Sequence, residues 1–253
     1  MLLYLYDRTF DGLLTAIFDA YNRRETPDRI VSEDLTPPLF ADTHQVITDR
    51  VKSDRVSTGL KKKISKSAMN MLFVCYMSEL EDIEMLIFRY VQKAFASDIS
   101  IEVNFADDDV LALSKIFKRV KREEERMRQF VRFQKTADGM YFAAMEPLYN
   151  VLPFCAEFFA NRYADQTWLI YDLRRNFGLY YDLKKTEIVR FDNTDAFRNA
   201  GQLSEDKKDE TEIAFQNLWK DYLKAVTIRE RTNLRLQRQF MPKRFWKYLT
   251  EKN

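Results

Sequence analysis

The sequence predicts an α+β protein in which antiparallel β-hairpins are covered by helices, with a helical middle section. Three observations carry that reading. Apolar residues keep helical spacing from 60 to 128, an Asp138-Gly139 pair sits between two strand-like runs, and a second pair of such runs follows at 168–171 and 178–181.

Taken in order, residues 1–6 predict a short apolar strand. Thr9 is placed to cap a helix whose Leu13, Leu14, Ile17, Phe18 and Tyr21 share one face. Pro27, Pro37 and Pro38, with several acids, mark 26–44 as a connecting loop leading to an extended piece at 45–49. In the helical middle, Ser78 and Glu81 make a capping-box signature ahead of Ile83, Leu86, Ile87 and Tyr90, and Asp107 or Asp108 can open a further helix. The texture changes near Gln129. Runs at 130–134 and 141–145 flank Thr136-Ala137-Asp138-Gly139, and Asp-Gly suits a hairpin turn because both residues tolerate positive φ. Residues 172–177 turn the second hairpin, 188–191 add a third strand, and 152–163 reads as helix between the hairpins. After Gly201 come two helices, one carrying Ile213, Phe215, Leu218, Trp219, Tyr222 and Leu223, the other basic and centred on 229–238; Pro242 starts a last short helix ending near Leu249. The organisation is therefore a mainly helical part, 1–128, and an α+β part, 129–253, read as one continuous domain.

Composition excludes several chemistries. With 253 residues, 46% hydrophobic and 32% charged, the chain is an ordinary core-forming protein. Its longest uncharged apolar stretch, 67–77, falls short of the ~20 residues that cross a bilayer. The opening MLLYLYD lacks a basic n-region and a small-residue cleavage site, so a cytoplasmic location is expected. Five dispersed glycines form neither a Rossmann fingerprint nor a P-loop. A single histidine, His44, excludes sites built from two imidazoles, and Cys75 and Cys155 are too far apart in sequence for a zinc or iron–sulfur motif. No cofactor is expected.

The net charge of +2 hides segregation. Residues 50–66 hold seven basic residues against one acid, 115–135 nine against three, and 229–253 eight against two, whereas 78–109 hold nine acids against Arg89 and Lys93. Separate positive and negative areas of this kind steer a polyanion. In the C-terminal segment Arg231, Arg235 and Arg238 fall at i, i+4, i+7 and predict one stripe, while Lys243 and Lys247 share a face flanked by Trp246, with Phe245 and Leu249 opposite. Lys and Arg beside an aromatic suit nucleic acid, because cations bind phosphates and a ring offers unpaired bases a stacking face. The expected interface is Arg229, Arg231, Arg235, Arg238, Lys243, Arg244, Trp246 and Lys247, with Arg174 and Arg175 as secondary candidates. A solvated cationic helix face gives the same pattern, and so does a surface for an acidic protein partner. The basic run at 115–128 is interrupted by Glu123, Glu124 and Glu125, which i,i+4 pairing explains better than DNA does.

Catalytic alternatives are thinner. Asp172 followed by Asp182-Leu183-Lys184 resembles the carboxylate–lysine spacing of metal-dependent nucleases, though strand-end aspartates commonly serve turns. Cys155 reads as a buried thiol, and His44 as an exposed, unpartnered imidazole. No serine lies in a Gly-x-Ser-x-Gly elbow.

Three long strings carry a family resemblance: RQFVRFQKTADGMYFAAMEP, NVLPFCAEFFANRYADQTWLIYDLRRNFGLYYD and LWKDYLKAVTIRERTNLRLQRQFMPKRFWKYLTE, with the opening LYDRTFDGLLTAIFDAY in addition. They resemble a bacterial domain family of unknown function described in terms of DNA metabolism or DNA repair. The resemblance implies company: such domains occur fused to a uracil-DNA-glycosylase-like domain, or stand alone beside a radical-SAM protein. No glycosylase segment and no Cys-x-x-x-Cys-x-x-Cys motif is found in this sequence, so neither chemistry carries over to it, and the family supplies no catalytic residues. The expected role is that of an accessory protein of DNA metabolism that binds nucleic acid and assists a partner enzyme.

Overall fold

The computed structural model describes residues 1–191 and 208–252; Gly201, the sequence-predicted break before the C-terminal helices, lies outside them. Helices and sheets combine in an α+β fold. The chain divides into two compact units, Met1–Lys121 and Arg122–Asn253.

In the first unit, β1 (Leu2–Tyr6) leads to α1 (Phe10–Arg23), and Thr9 caps the helix as the sequence predicts, its hydroxyl accepting from Gly12 N at 2.9 Å. Two further strands, β2 (Arg29–Ser32) and β3 (Asp42–Gln45), both pair parallel with β1 in the order β2-β1-β3. This small parallel sheet departs from the hairpin-only expectation. The α1 crossover returns the chain to the start of β1, so β2 must run the same way, and the proline-rich loop does likewise for β3. Four helices follow: α2 (Arg50–Lys61), α3 (Lys66–Tyr76), α4 (Ile83–Ala96) and α5 (Asp108–Phe130). Helix α2 begins ten residues before the predicted helical stretch, started by Asp49, whose carboxylate accepts from Val51 N at 2.7 Å. The capping box at Ser78 and Glu81 does not form; Asp82 occupies the N-cap of α4 in a left-handed conformation and makes no side-chain cap. Asp107 does open α5, accepting from Asp109 N at 2.9 Å and Val110 N at 3.2 Å. Tyr4, Leu13, Ile17, Leu60, Leu72, Phe88 and Leu113 fill the core.

The second unit is built on a five-stranded sheet ordered β4-β5-β6-β7-β8. β4 (Gln134–Lys135) and β5 (Tyr141–Met145) form the predicted hairpin, with Gly139 at φ +86° in its turn. A 3-10 turn (Leu152–Cys155) and α6 (Ala156–Arg162) cross to β6 (Trp168–Asp172), which is why β5 and β6 pair parallel. β7 (Phe177–Tyr181) and β8 (Thr186–Val189) complete an antiparallel meander. Phe133 anchors an aromatic cluster with Phe159, Tyr163 and Trp168. The C-terminal segment holds α7 (Glu212–Val226), a 3-10 turn (Arg229–Arg231), α8 (Leu234–Phe240) and a 3-10 helix (Lys243–Tyr248). Among the described residues no helix is long and apolar enough to cross a membrane.

Candidate nucleic-acid interface

The 3-10 helix Lys243–Tyr248 follows Pro242 and is fastened by its apolar side. Phe245 and Leu249 are buried, as their spacing predicts, and the Phe245 ring lies 5.1 Å from that of Phe130. With that side held, Lys243, Arg244 and Lys247 line a cleft of about 490 Å³ together with Arg174, Leu148 and Glu146. Arg174 arrives from the β6–β7 turn and Glu146 from the residue after β5.

Each cation is held differently. Glu123 of α5, only 1% exposed, grips the Arg244 guanidinium through both oxygens, with Nη1 at 3.0 Å, and also accepts from Leu148 N at 2.9 Å. Burial favours the neutral form of Arg244 and lowers its pKa, and the Glu123 charge works against that loss. Lys247 Nζ donates to Glu146 at 2.6 Å. Burial alone would raise the Glu146 carboxyl, yet the hydrogen bond and charge of Lys247 hold it below its ordinary range. Arg174 donates to the Leu148 carbonyl at 3.1 Å and stays exposed, as does Lys243, which makes no ion pair among the described residues.

The carboxylates of the nuclease reading serve turns instead. Asp172 is fully buried, accepts from the backbone N–H groups of Arg174 and Arg175 at 2.9 and 3.2 Å, and pairs with the Arg175 guanidinium at 3.0 Å. Burial pushes its carboxyl up, with Arg175 opposing. Arg175 in turn donates to the carbonyls of Pro147 and Leu148, so this secondary candidate stiffens the cleft wall without lining it. Asp182 caps the turn after β7, accepting from Lys184 N at 2.9 Å and Lys185 N at 2.8 Å, while the Lys184 side chain is exposed. Asp172 stands opposite Phe177 and Tyr181 opposite Trp168, so Asp172 and Asp182 occupy opposite ends of the hairpin, roughly 13 Å or more apart at ~3.3 Å per residue. They cannot share one metal ion. Among the described residues no group of three His, Cys, Asp or Glu side chains is arranged to hold a metal.

The predicted basic stripe is broken. Arg231 belongs to the 3-10 turn, Thr232 and Asn233 are extended, and the Asn233 side chain accepts from Leu236 N at 3.0 Å to start a new helix. Only Arg235 and Arg238 therefore share a helix; Arg231, Arg235 and Arg238 are all exposed. Arg229 lines a second cleft of about 560 Å³ with Lys220, Lys224, Gln237, Glu251 and Lys252 among its neighbours. Trp246 is not an open stacking platform: its Nε1 donates to the Met241 carbonyl at 3.0 Å, and the Lys252 ammonium sits over its ring at 4.8 Å. Tyr248 is buried.

Outside the cleft, His44 is partnered rather than free. Its Nε2 lies 3.0 Å from Asp19, which also accepts from Lys52 at 2.8 Å. Cys75 and Cys155 are buried thiols that form no disulfide with each other, and burial pushes Cys75 up to about 12. The sequence reading missed Glu123 and Glu146 as the acids that organise the cleft; the i,i+4 rule correctly pairs Glu124 with Arg128 but says nothing of a partner 121 residues away.

No curated protein and no solved structure matches this chain. A family model does, over residues 81–251, a span that includes every residue lining the first cleft and all those lining the second except Lys252. With more than half of its length matched, the chain belongs to the family described as Domain of unknown function (DUF4130).

Proposed function

We propose that this protein is a cytoplasmic accessory factor of DNA metabolism or repair that binds nucleic acid through the basic cleft and assists a partner enzyme. The observation that carries the reading is the meeting of Arg174, Lys243, Arg244 and Lys247, drawn from two distant stretches of sequence, on one concavity. Arginine forks and lysine ammonium groups around a cleft are what phosphate oxygens require. Arg229, Arg231, Arg235 and Arg238 are exposed and extend the positive surface electrostatically. The DNA-metabolism setting, and a radical-SAM protein or uracil-DNA-glycosylase-like protein as partner, rest on the family resemblance of the quoted strings. The partner half of the reading draws support from the exposed Phe215, Leu218 and Tyr222 of α7, whose helical spacing marks an apolar face that stays open to solvent.

The test is affinity for single- and double-stranded DNA as salt is raised. Binding through several phosphates makes log K fall with log[salt], by about 0.9 per contact on duplex or about 0.7 on single strands. Arg174→Ala combined with Lys243→Ala is expected to flatten that slope by about two contacts while leaving the circular dichroism unchanged. Absence of binding at low salt overturns the proposal.

A further inference from the structure

We infer that the cleft lined by Glu146, Arg174, Lys243, Arg244 and Lys247 takes the terminal phosphate monoester of a nucleic-acid strand in preference to a phosphodiester within it. This deepens the nucleic-acid reading above and rests on it.

Charge comes first. The lining sets four cations against the single carboxylate of Glu146. Glu123, behind Arg244, does not cancel the surplus, because Arg126 also approaches it, at 3.8 Å. An internal phosphodiester brings one negative charge, whereas a phosphate monoester carries about −1.5 to −2 at neutral pH and three strong acceptor oxygens. The dianion is the better match to the excess.

Donor geometry points the same way. Arg244 is fixed by Glu123 and Arg174 is tethered to the Leu148 carbonyl, so two guanidinium groups are placed before any ligand arrives. Lys243 keeps a mobile ammonium with no ion pair among the described residues, able to follow a third oxygen. The N–H donors left on these two fixed guanidinium groups, with one adjustable ammonium, suit a tetrahedral group presenting three free oxygens; a diester offers only two. At about 490 Å³, the cleft also has the dimensions of a small-ligand site, which an end can enter, rather than those of a strand-length groove.

The experiment uses the full chain and one internally labelled single-stranded oligonucleotide in three forms: hydroxyl at both ends, 5′-phosphate, or 3′-phosphate. Fluorescence anisotropy is expected to show one phosphorylated form binding about tenfold tighter than the hydroxyl form. Lys243→Ala with Arg174→Ala, both exposed side chains, is expected to erase that advantage. Equal affinity for all three forms overturns the inference while leaving the nucleic-acid reading intact, and no binding of any form, either single-stranded or annealed to its complement, overturns both. Inorganic phosphate that competes at lower concentration than the phosphorylated oligonucleotide also overturns it, because the ligand is then a free phosphate rather than a strand end.

Discussion

Glu123 shows how one buried acid sets the chemistry of a basic surface. It accepts from Arg244 and from Leu148 N, so it fixes a cation and a backbone wall of the same cleft. Its replacement by alanine strands both donors, and loss of a buried partner is more damaging than the pair's own net contribution. Because Arg244 is partly exposed, Glu123→Ala is expected to lower unfolding free energy by roughly 2–4 kcal/mol, read from urea midpoints. Legibility at this scale was uneven. Lys243, Arg244 and Lys247 could be found from charge and spacing in one short segment, and Arg174 stood out in its turn. Glu123 could not, because adjacent glutamates look alike in sequence and only the tertiary path decides which faces Arg244. Trp246 was legible as an aromatic beside lysines, but its engagement by Met241 and Lys252 depends on how the chain end folds back.

At the level of elements, the β6–β7 hairpin positions Arg174, and its tolerance for change is narrow. A Cβ on Gly178 would lie 2.8 Å from Tyr171 Cδ2 and 2.9 Å from the Ile170 carbonyl oxygen, a backbone atom that cannot step aside without moving the strand. Gly178→Ala is expected to destabilise by about 1–3 kcal/mol and to lower the thermal midpoint, with weaker DNA binding as the Arg174 turn shifts. The two hairpins were legible because Asp138-Gly139 and the strand-like runs are local signals. β2 and α2 were not. Ile30 and Val31 make too short a run to register beside Pro27, and α2 buries only Ser53, Val56 and Leu60 on an otherwise polar helix, so packing rather than pattern establishes it. The direction of pairing was equally hidden: strand periodicity is the same in parallel and antiparallel sheets, and the crossovers decide.

Across the molecule, acids among the described residues are held by donors more often than they are left to solvent. Asp19, Glu102, Asp109, Glu146 and Glu251 are each pushed up by burial but brought below the ordinary carboxylate range by cationic or hydroxyl and N–H partners. A lowered folded-state pKa means that the unfolded chain binds protons first as pH falls, so these groups stabilise fully above the ordinary value and lose that contribution as pH drops through the lowered ones. Glu84 and Asp172, raised by burial, act in the opposite sense, favouring the folded state as they protonate. The five outnumber the two. Urea midpoints are expected to hold steady between about pH 7 and pH 5 and to fall below about pH 4.

Lys252 touches two environments at once, since its ammonium covers the Trp246 indole and its side chain borders the cleft that contains Arg229. An anion drawn into that hollow competes with the indole for the same positive charge. Trp246 thereby becomes a built-in optical gauge of occupancy there, its emission responding as the ammonium is pulled away, with no dye attached to the protein.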